Sequence, residues 1–229
     1  MTTTMPPSSS LIIAIDGPSG AGKGTVARAV AAALEYRHVD TGAMYRAVAW
    51  KAVHDEVDLA DEDAVAALAA RARIDVSDGA VTVDGHDIRE AIRTPEIDAA
   101  AAAVARQPRV RQVLIVQQRE MGRGGGVVME GRDIGTVVFP GADVKIYLDA
   151  TPEERARRRA QDPQHAAGRH GAAVQEIAAA LAARDRSDQT RAASPLALAA
   201  DAVLIDTTGV PIDVVVARVL DLVRQRSHR

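Results

Sequence analysis

Cysteine is absent from this 229-residue sequence. That excludes disulfide staples and thiolate-held zinc, and it fits a cytoplasmic setting. No run of about 18 apolar residues occurs, the length a helix needs to cross a bilayer, so no membrane partner is expected. The first ten residues carry neither a basic start nor an apolar stretch, so they read as a loose tail rather than a secretory leader. An excess of positive charge is missing too. The net charge of −3 argues against a general nucleic-acid binder, which is usually basic. Lysine is scarce, at Lys23, Lys51 and Lys145 only, against 25 arginines. Coding bias explains much of that imbalance in so alanine-rich a chain, but it makes any lysine in a motif conspicuous.

What is present describes an ordinary globular protein, 47% apolar and 26% charged, long enough for one domain with insertions. Residues 11–15 form a short β-branched apolar run, read as a buried strand. Further strands are expected at 37–40, 127–130, 144–148 and 202–205, and helices at 25–34, 41–54, 62–71, 108–121, 151–160, 174–186 and 213–224. Ser77-Asp78-Gly79 between two short apolar runs reads as a hairpin turn, and the polar segment 161–172 as a loop. Strands alternating with helices predict an α/β fold whose mostly parallel sheet is covered on both faces.

The first strand leads into Asp16-Gly17-Pro18-Ser19-Gly20-Ala21-Gly22-Lys23-Gly24-Thr25, and a strong helix former follows. This nearly matches the phosphate-binding pattern G-x-x-x-x-G-K-[ST], in the strand–loop–helix context that the pattern requires. Backbone N–H groups of residues 17–25 can converge on a phosphate chain, helped by the positive helix end. Lys23 would bridge β- and γ-phosphate oxygens. The departure is Gly24, where a hydroxyl should meet Mg²⁺; Thr25 or the Gly24 N–H could substitute in part. No lysine is followed by x-Asp, so the guanine-reading sequence of GTPases is missing.

Phosphoryl transfer between two anions needs fixed positive charge at the acceptor, and guanidinium grips phosphate bidentately. Arg46, Arg111, Arg132 and Arg191 fall at loop or helix-start positions, and Arg155, Arg157, Arg158 and Arg159 form a cluster. Helical spacing puts Arg155 on one face with Arg158 and Arg159. The plainer reading of that cluster is a solvated face paired with Glu153 and Glu154.

Several segments in order resemble the bacterial cytidylate (CMP) kinase family of nucleoside monophosphate kinases. They are the glycine loop, Asp40-Thr-Gly-Ala-Met-Tyr-Arg46, Glu130-Gly-Arg-Asp-Ile-Gly-Thr-Val-Val-Phe-Pro140, Val144-Lys-Ile-Tyr-Leu-Asp149, Arg184-Asp-x-x-Asp188-x-x-Arg191 and Ser194-Pro-Leu196. In this family Lys-Gly-Thr is a familiar loop variant. The resemblance implies a P-loop core of residues 11–40, 105–154 and 192–229, an acceptor-binding insert at 41–104 and a lid at 155–191. It implies that Thr41, Arg46, Arg132 and Arg191 surround the acceptor phosphate with Tyr45 in the same site. Arg111 and Asp133 would face the base, and Arg184 and Asp188 the sugar. Lys23, Arg132, Arg155, Arg158 and Arg159 would be catalytic. Asp16 or Glu130, at strand ends, could order water on Mg²⁺, and Asp40 could equally help. ATP and CMP or dCMP would be the substrates of a monomer. A carboxylate at Asp133 suits cytosine, whose exocyclic amine donates; its plainer role is a helix cap. Asp188 could equally be an exposed partner of Arg184 or Arg191. The chain departs from the family at Ala102, where a serine usually meets the base. Rival readings are a kinase for UMP or AMP and a nucleotide-binding regulator without turnover.

Overall fold

A computed structural model describes residues 10–162 and 173–227. The expected tail and most of the polar loop at 161–172 lie outside the described residues. Five strands make the main sheet: β1 (Ile12–Asp16), β2 (Arg37–Asp40), β6 (Val127–Glu130), β7 (Val144–Asp149) and β8 (Val203–Asp206). Their order is β2-β6-β1-β7-β8, and every pairing is parallel. β1 and β8 each begin one residue later than the sequence reading placed them.

Side-chain alternation explains why both faces are covered. Ala14 of β1 and Val127 and Met129 of β6 enter one core. Ile13, Ile15 and Val128 enter the other. The first core is closed by α2 (Thr41–His54), α3 (Glu62–Arg71), α4 (Pro95–Val104) and α5 (Pro108–Met121). The second is closed by α1 (Lys23–Leu34) and α8 (Ile212–Ser227) through Val26, Val30, Val215 and Val219. Near-continuous apolar strands buried on both faces are the expected signature of a parallel sheet. A smaller pair, α6 (Pro152–Gln161) and α7 (Val174–Thr190), packs through Ala156, Ile177 and Leu181.

Helix starts follow local chemistry. The Asp40 carboxylate accepts from Ala43 N at the start of α2, Thr94 Oγ1 from Ile97 N at α4 and Thr151 Oγ1 from Glu154 N at α6. Pro95 and Pro152 occupy first-turn positions whose N–H would have no partner. The insertion is a three-stranded antiparallel sheet of β3 (Ile74–Asp75), β4 (Thr82–Val83) and β5 (His86–Asp87). Its first turn holds Asp78 and Gly79 at positive φ, and a second Asp-Gly turn, Asp84-Gly85, adds the third strand.

β1 lies at the centre of the sheet, so the loop leaving its carboxyl end opens where neighbouring chains diverge to opposite faces. Ligands of open parallel sheets bind in such crevices. The element order and the glycine loop after β1 make this a P-loop NTPase fold.

Candidate active site

Residues 17–22 join β1 to α1, and their geometry explains the glycines. Gly17 has φ +146, and a Cβ there would sit 2.0 Å from the Leu148 carbonyl oxygen. Gly20 and Gly22 also take positive φ, and Gly22 caps α1 without a side chain. Lys23 is buried, and its Nζ donates to Pro18 O at 2.7 Å, folding the side chain back over the loop.

A cavity of about 460 Å³ opens beside this loop. Lys23, Gly24, Thr25, Thr41, Tyr45, Arg46, Arg111, Glu130, Arg132 and Asp133 line it. So do Ser19, Gly20, Gly22, Arg158, Arg159, Arg184, Asp188 and Arg191. Residues from both ends of the sequence thus meet as the motifs proposed. Among the residues picked from sequence, Asp16, Gly17, Pro18, Ala21 and Arg155 stand outside the lining, as does Arg157, which pairs with Glu154 on an exposed face. The Ala102 position also differs: Ala101 and Ala105 line this cavity, whereas Ala102 lines an adjoining apolar one between α4 and α7.

Ion pairs thread the cavity wall. Arg111 Nη2 donates to Asp133 Oδ2 at 2.6 Å, and Arg191 stands 3.6 Å from Asp133 Oδ1. Arg191 also reaches Asp188 at 3.3 Å, and Arg132 Nε donates to Asp188 Oδ2 at 3.0 Å. Arg46 Nε donates to Asp98 Oδ1 at 2.9 Å. Arg111 is 2% exposed and lies over the Tyr45 ring, 5.2 Å from its centroid. Asp133 precedes the π-helical turn Ile134–Val138 but makes no side-chain cap bond, so its carboxylate is given wholly to the arginines.

The cations outweigh the anions here. Burial, then the charge of Arg132, pushes Lys23 down to about 7. Desolvation, then Arg132 and Arg46, pushes Arg184 down to about 10. Arg159 and Arg191 are lowered as well, each chiefly by burial and next by a neighbouring arginine. Arg46 and Arg111 are raised despite burial, by Asp98 and by Tyr45 with Asp133, so the disfavoured cations are the four just named, and these a bound polyanion would relieve.

The carboxylates once grouped as metal candidates separate. Asp16 is buried, and its two oxygens accept from Ile134 N at 2.9 Å and Gly135 N at 2.7 Å. Burial lifts its carboxyl to about 6 against those bonds. Glu130 instead lines the cavity beside Gly24. Among the described residues no group of three or more His, Cys, Asp or Glu could cage a metal.

Arg155 has a different place from its neighbours. Its Nη1 donates to Ser19 O at 3.1 Å and pairs with Asp185, while Asp185 Oδ1 accepts from Ser19 N at 3.1 Å. Both backbone groups of one loop residue are therefore held by a buried pair from α6 and α7. Asp185 stands within the Arg184-Asp-x-x-Asp188 segment but was given no role in the sequence reading. Arg158 lies against Thr207 and Glu154, and Arg159 Nη2 donates to Ser19 Oγ at 2.9 Å. Asp98 and His38, which pairs with Glu130, also carried no motif signal.

A parallel sheet with its glycine loop at the central strand, facing an arginine-walled cavity, defines a nucleoside monophosphate kinase. The sequence pattern of cytidylate kinases matches residues 13–225, and the chain belongs to that family. It is 46% identical over 216 residues to a cytidylate kinase of Solibacter usitatus (strain Ellin6076), covering 94% of this chain and 93% of the relative. A cytidylate kinase of Pelotomaculum thermopropionicum is 49% identical over 213 residues, covering 91% and 93%. A bifunctional pantoate ligase/cytidylate kinase of Synechococcus sp. (strain WH7803) is 48% identical over 223 residues, which are 94% of this chain and 45% of that protein.

Proposed function

We propose that the chain transfers the γ-phosphate of ATP to CMP or dCMP, giving ADP and CDP or dCDP. The observation that carries this reading is the cavity lined in common by the glycine loop, Arg46, Arg111, Arg132 and Arg191, with Asp133 held between Arg111 and Arg191. The donor phosphates lie along the backbone N–H groups of the loop, and Lys23 leaves Pro18 O to meet them. The acceptor phosphate draws on Arg46, Arg132 and Arg191, and Arg158 and Arg159 approach from the lid side. These groups gather negative oxygens in line and stabilise the charge of transfer. No side chain need act as base, because a phosphate acceptor is already ionised at neutral pH.

Magnesium fits the site as an ion brought by the nucleotide, since the cavity offers Thr25 and Glu130 but no cage of ligands. Bound with the nucleotide, it would supply positive charge to offset that of the donor phosphates, held on the protein side by Thr25 and Glu130. Glu130 is the carboxylate placed to order its waters. Residues 41–104 act as the acceptor-binding insert and 155–191 as the lid, closing to exclude water that would otherwise hydrolyse ATP. The described residues include no helix long and apolar enough to cross a membrane, and we take the chain to act as a cytoplasmic monomer.

Base choice tests the reading. Asp133 can accept from the N4 amine of cytosine, and it meets an acceptor oxygen in uracil. The Asp133→Asn variant, assayed for turnover of CMP and UMP, should lose CMP activity about 100-fold and shift its preference toward UMP. Equal losses for both bases would show that Asp133 only braces Arg111.

A further inference from the structure

Glu130 is held by a residue that no motif identifies. His38 lies on β2, whose parallel register pairs His38 with Val128 and Asp40 with Glu130. Its ring therefore sits two residues behind Glu130 on the neighbouring strand and reaches forward. His38 Nε2 is 3.1 Å from Glu130 Oε1, and both side chains are more than nine-tenths buried. An ionised carboxylate only accepts, so Nε2 carries the proton and donates. His38 Nδ1 is buried without a hydrogen-bond partner, which leaves the Glu130 bond as the polar contact that orients the ring. Thr41 Oγ1 meanwhile donates to Glu130 O at 2.7 Å, so the same stretch of chain pins both ends of the glutamate.

The opposite side of the carboxylate is defined by an absence. A Cβ on Gly24 would lie 3.1 Å from Glu130 Oε1 and 3.6 Å from Oε2. Gly24 occupies the position where the usual loop carries a magnesium-binding hydroxyl. Arg28 Nη1 lies 3.3 Å from the same Cβ position, so the carboxylate and this guanidinium together fill the neighbourhood that a serine or threonine side chain would otherwise enter.

We propose that His38 is a positioning residue, whose Nε2–H bond fixes the Glu130 carboxylate over Gly24 so that Glu130 serves the magnesium-bearing phosphates in place of the missing hydroxyl. This rests on the reading of the chain as a magnesium–ATP enzyme. A donor that orients a metal-side ligand acts through the ligand, and its loss lowers metal affinity without touching substrate.

Calorimetric titration with ATP, in magnesium and in chelator, tests it on the full chain. The variants are His38→Phe, His38→Gln, Glu130→Gln and the His38→Phe/Glu130→Gln double. His38→Phe should weaken magnesium–ATP binding about tenfold while magnesium-free ATP and CMP bind as in the parent. His38→Gln, which keeps a donor, should recover most of the loss. The double variant should bind no worse than Glu130→Gln alone, since the two residues act as one unit. Should His38→Phe fail to fold, His38→Leu takes its place, with magnesium-free ATP binding as the check of folding. A loss shared equally by magnesium-bound and magnesium-free ATP would overturn the proposal, because it marks a packing defect. So would a normal His38→Phe beside a defective Glu130→Gln. If Glu130→Gln itself binds magnesium–ATP normally, the role given to Glu130 falls, and that of His38 with it.

Discussion

At the scale of single residues, the site holds buried cations that their surroundings disfavour. Lys23 is pushed down to about 7 by burial first and Arg132 second, well below its usual value of 10.5. A triphosphate favours the ammonium form, so nucleotide binding at about pH 8 should take up about one proton as Lys23 moves from neutral to charged. At about pH 6 the lysine is already charged and the uptake should vanish. Binding heats measured in buffers of different ionisation enthalpy read this directly, and Lys23→Met should abolish the buffer dependence. Gly17 is the backbone counterpart. With φ +146 and the Leu148 oxygen 2.0 Å from any Cβ, Gly17→Ala should cost about 3 kcal/mol of stability, seen by denaturant unfolding. Both residues were legible in sequence because the glycine loop states its own spacing. The partners that set their energetics, Arg132 and Leu148, stood in motifs of their own, but their approach to Lys23 and Gly17 is remote in the chain and carried no local signal.

At the scale of elements, the hold of α6 and α7 on the loop is the feature with most at stake. Arg155 and Asp185 are both buried, and together they satisfy Ser19 N and Ser19 O. Breaking such a pair from one side leaves an uncompensated charge, so Asp185→Ala should lose about 3 kcal/mol of stability and raise the KM for ATP more than that for CMP. Thermal unfolding and steady-state kinetics give the two readouts. Most helices were legible, since Asp40, Thr151 and Pro152 are local start signals and the strands are plain apolar runs; α4 was not among the expected helices, although Thr94 and Pro95 are start signals of the same kind. The π-helical turn Ile134–Val138 was not, because it is anchored by Asp16 across a separation of 118 residues. The third short strand, β5, was missed since two residues, His86 and Asp87, show no alternation. Helical spacing correctly grouped Arg155, Arg158 and Arg159, but it could not say that a carboxylate from α7 draws Arg155 out of the cavity wall. Nor could the sequence say that Ala102 lines the adjoining apolar cavity while Ala101 and Ala105 line the first, a matter of which face of α4 turns inward.

At the scale of the whole molecule, the account requires the insert and the lid to approach one another. An apolar cavity of about 600 Å³ lies between them, lined by Ala99 and Ala102 of α4 and Ile177, Ala180 and Leu181 of α7. The small side chains of the α4 wall leave room for α7 to approach. Because the chain has no cysteine, labels can be placed at Ala103→Cys and Ala179→Cys, both exposed sites, without background. Their separation should shorten when CMP and a non-hydrolysable ATP analogue are both bound, and less with either alone. The central claim concerns which acceptor this machinery serves. It is tested most directly by an ADP-coupled assay with ATP and magnesium across CMP, dCMP, UMP, AMP and GMP. The account predicts strong preference for the two cytidine nucleotides, through Asp133 and Arg111. Absence of ADP formation with every acceptor, in protein shown to be folded, would contradict it.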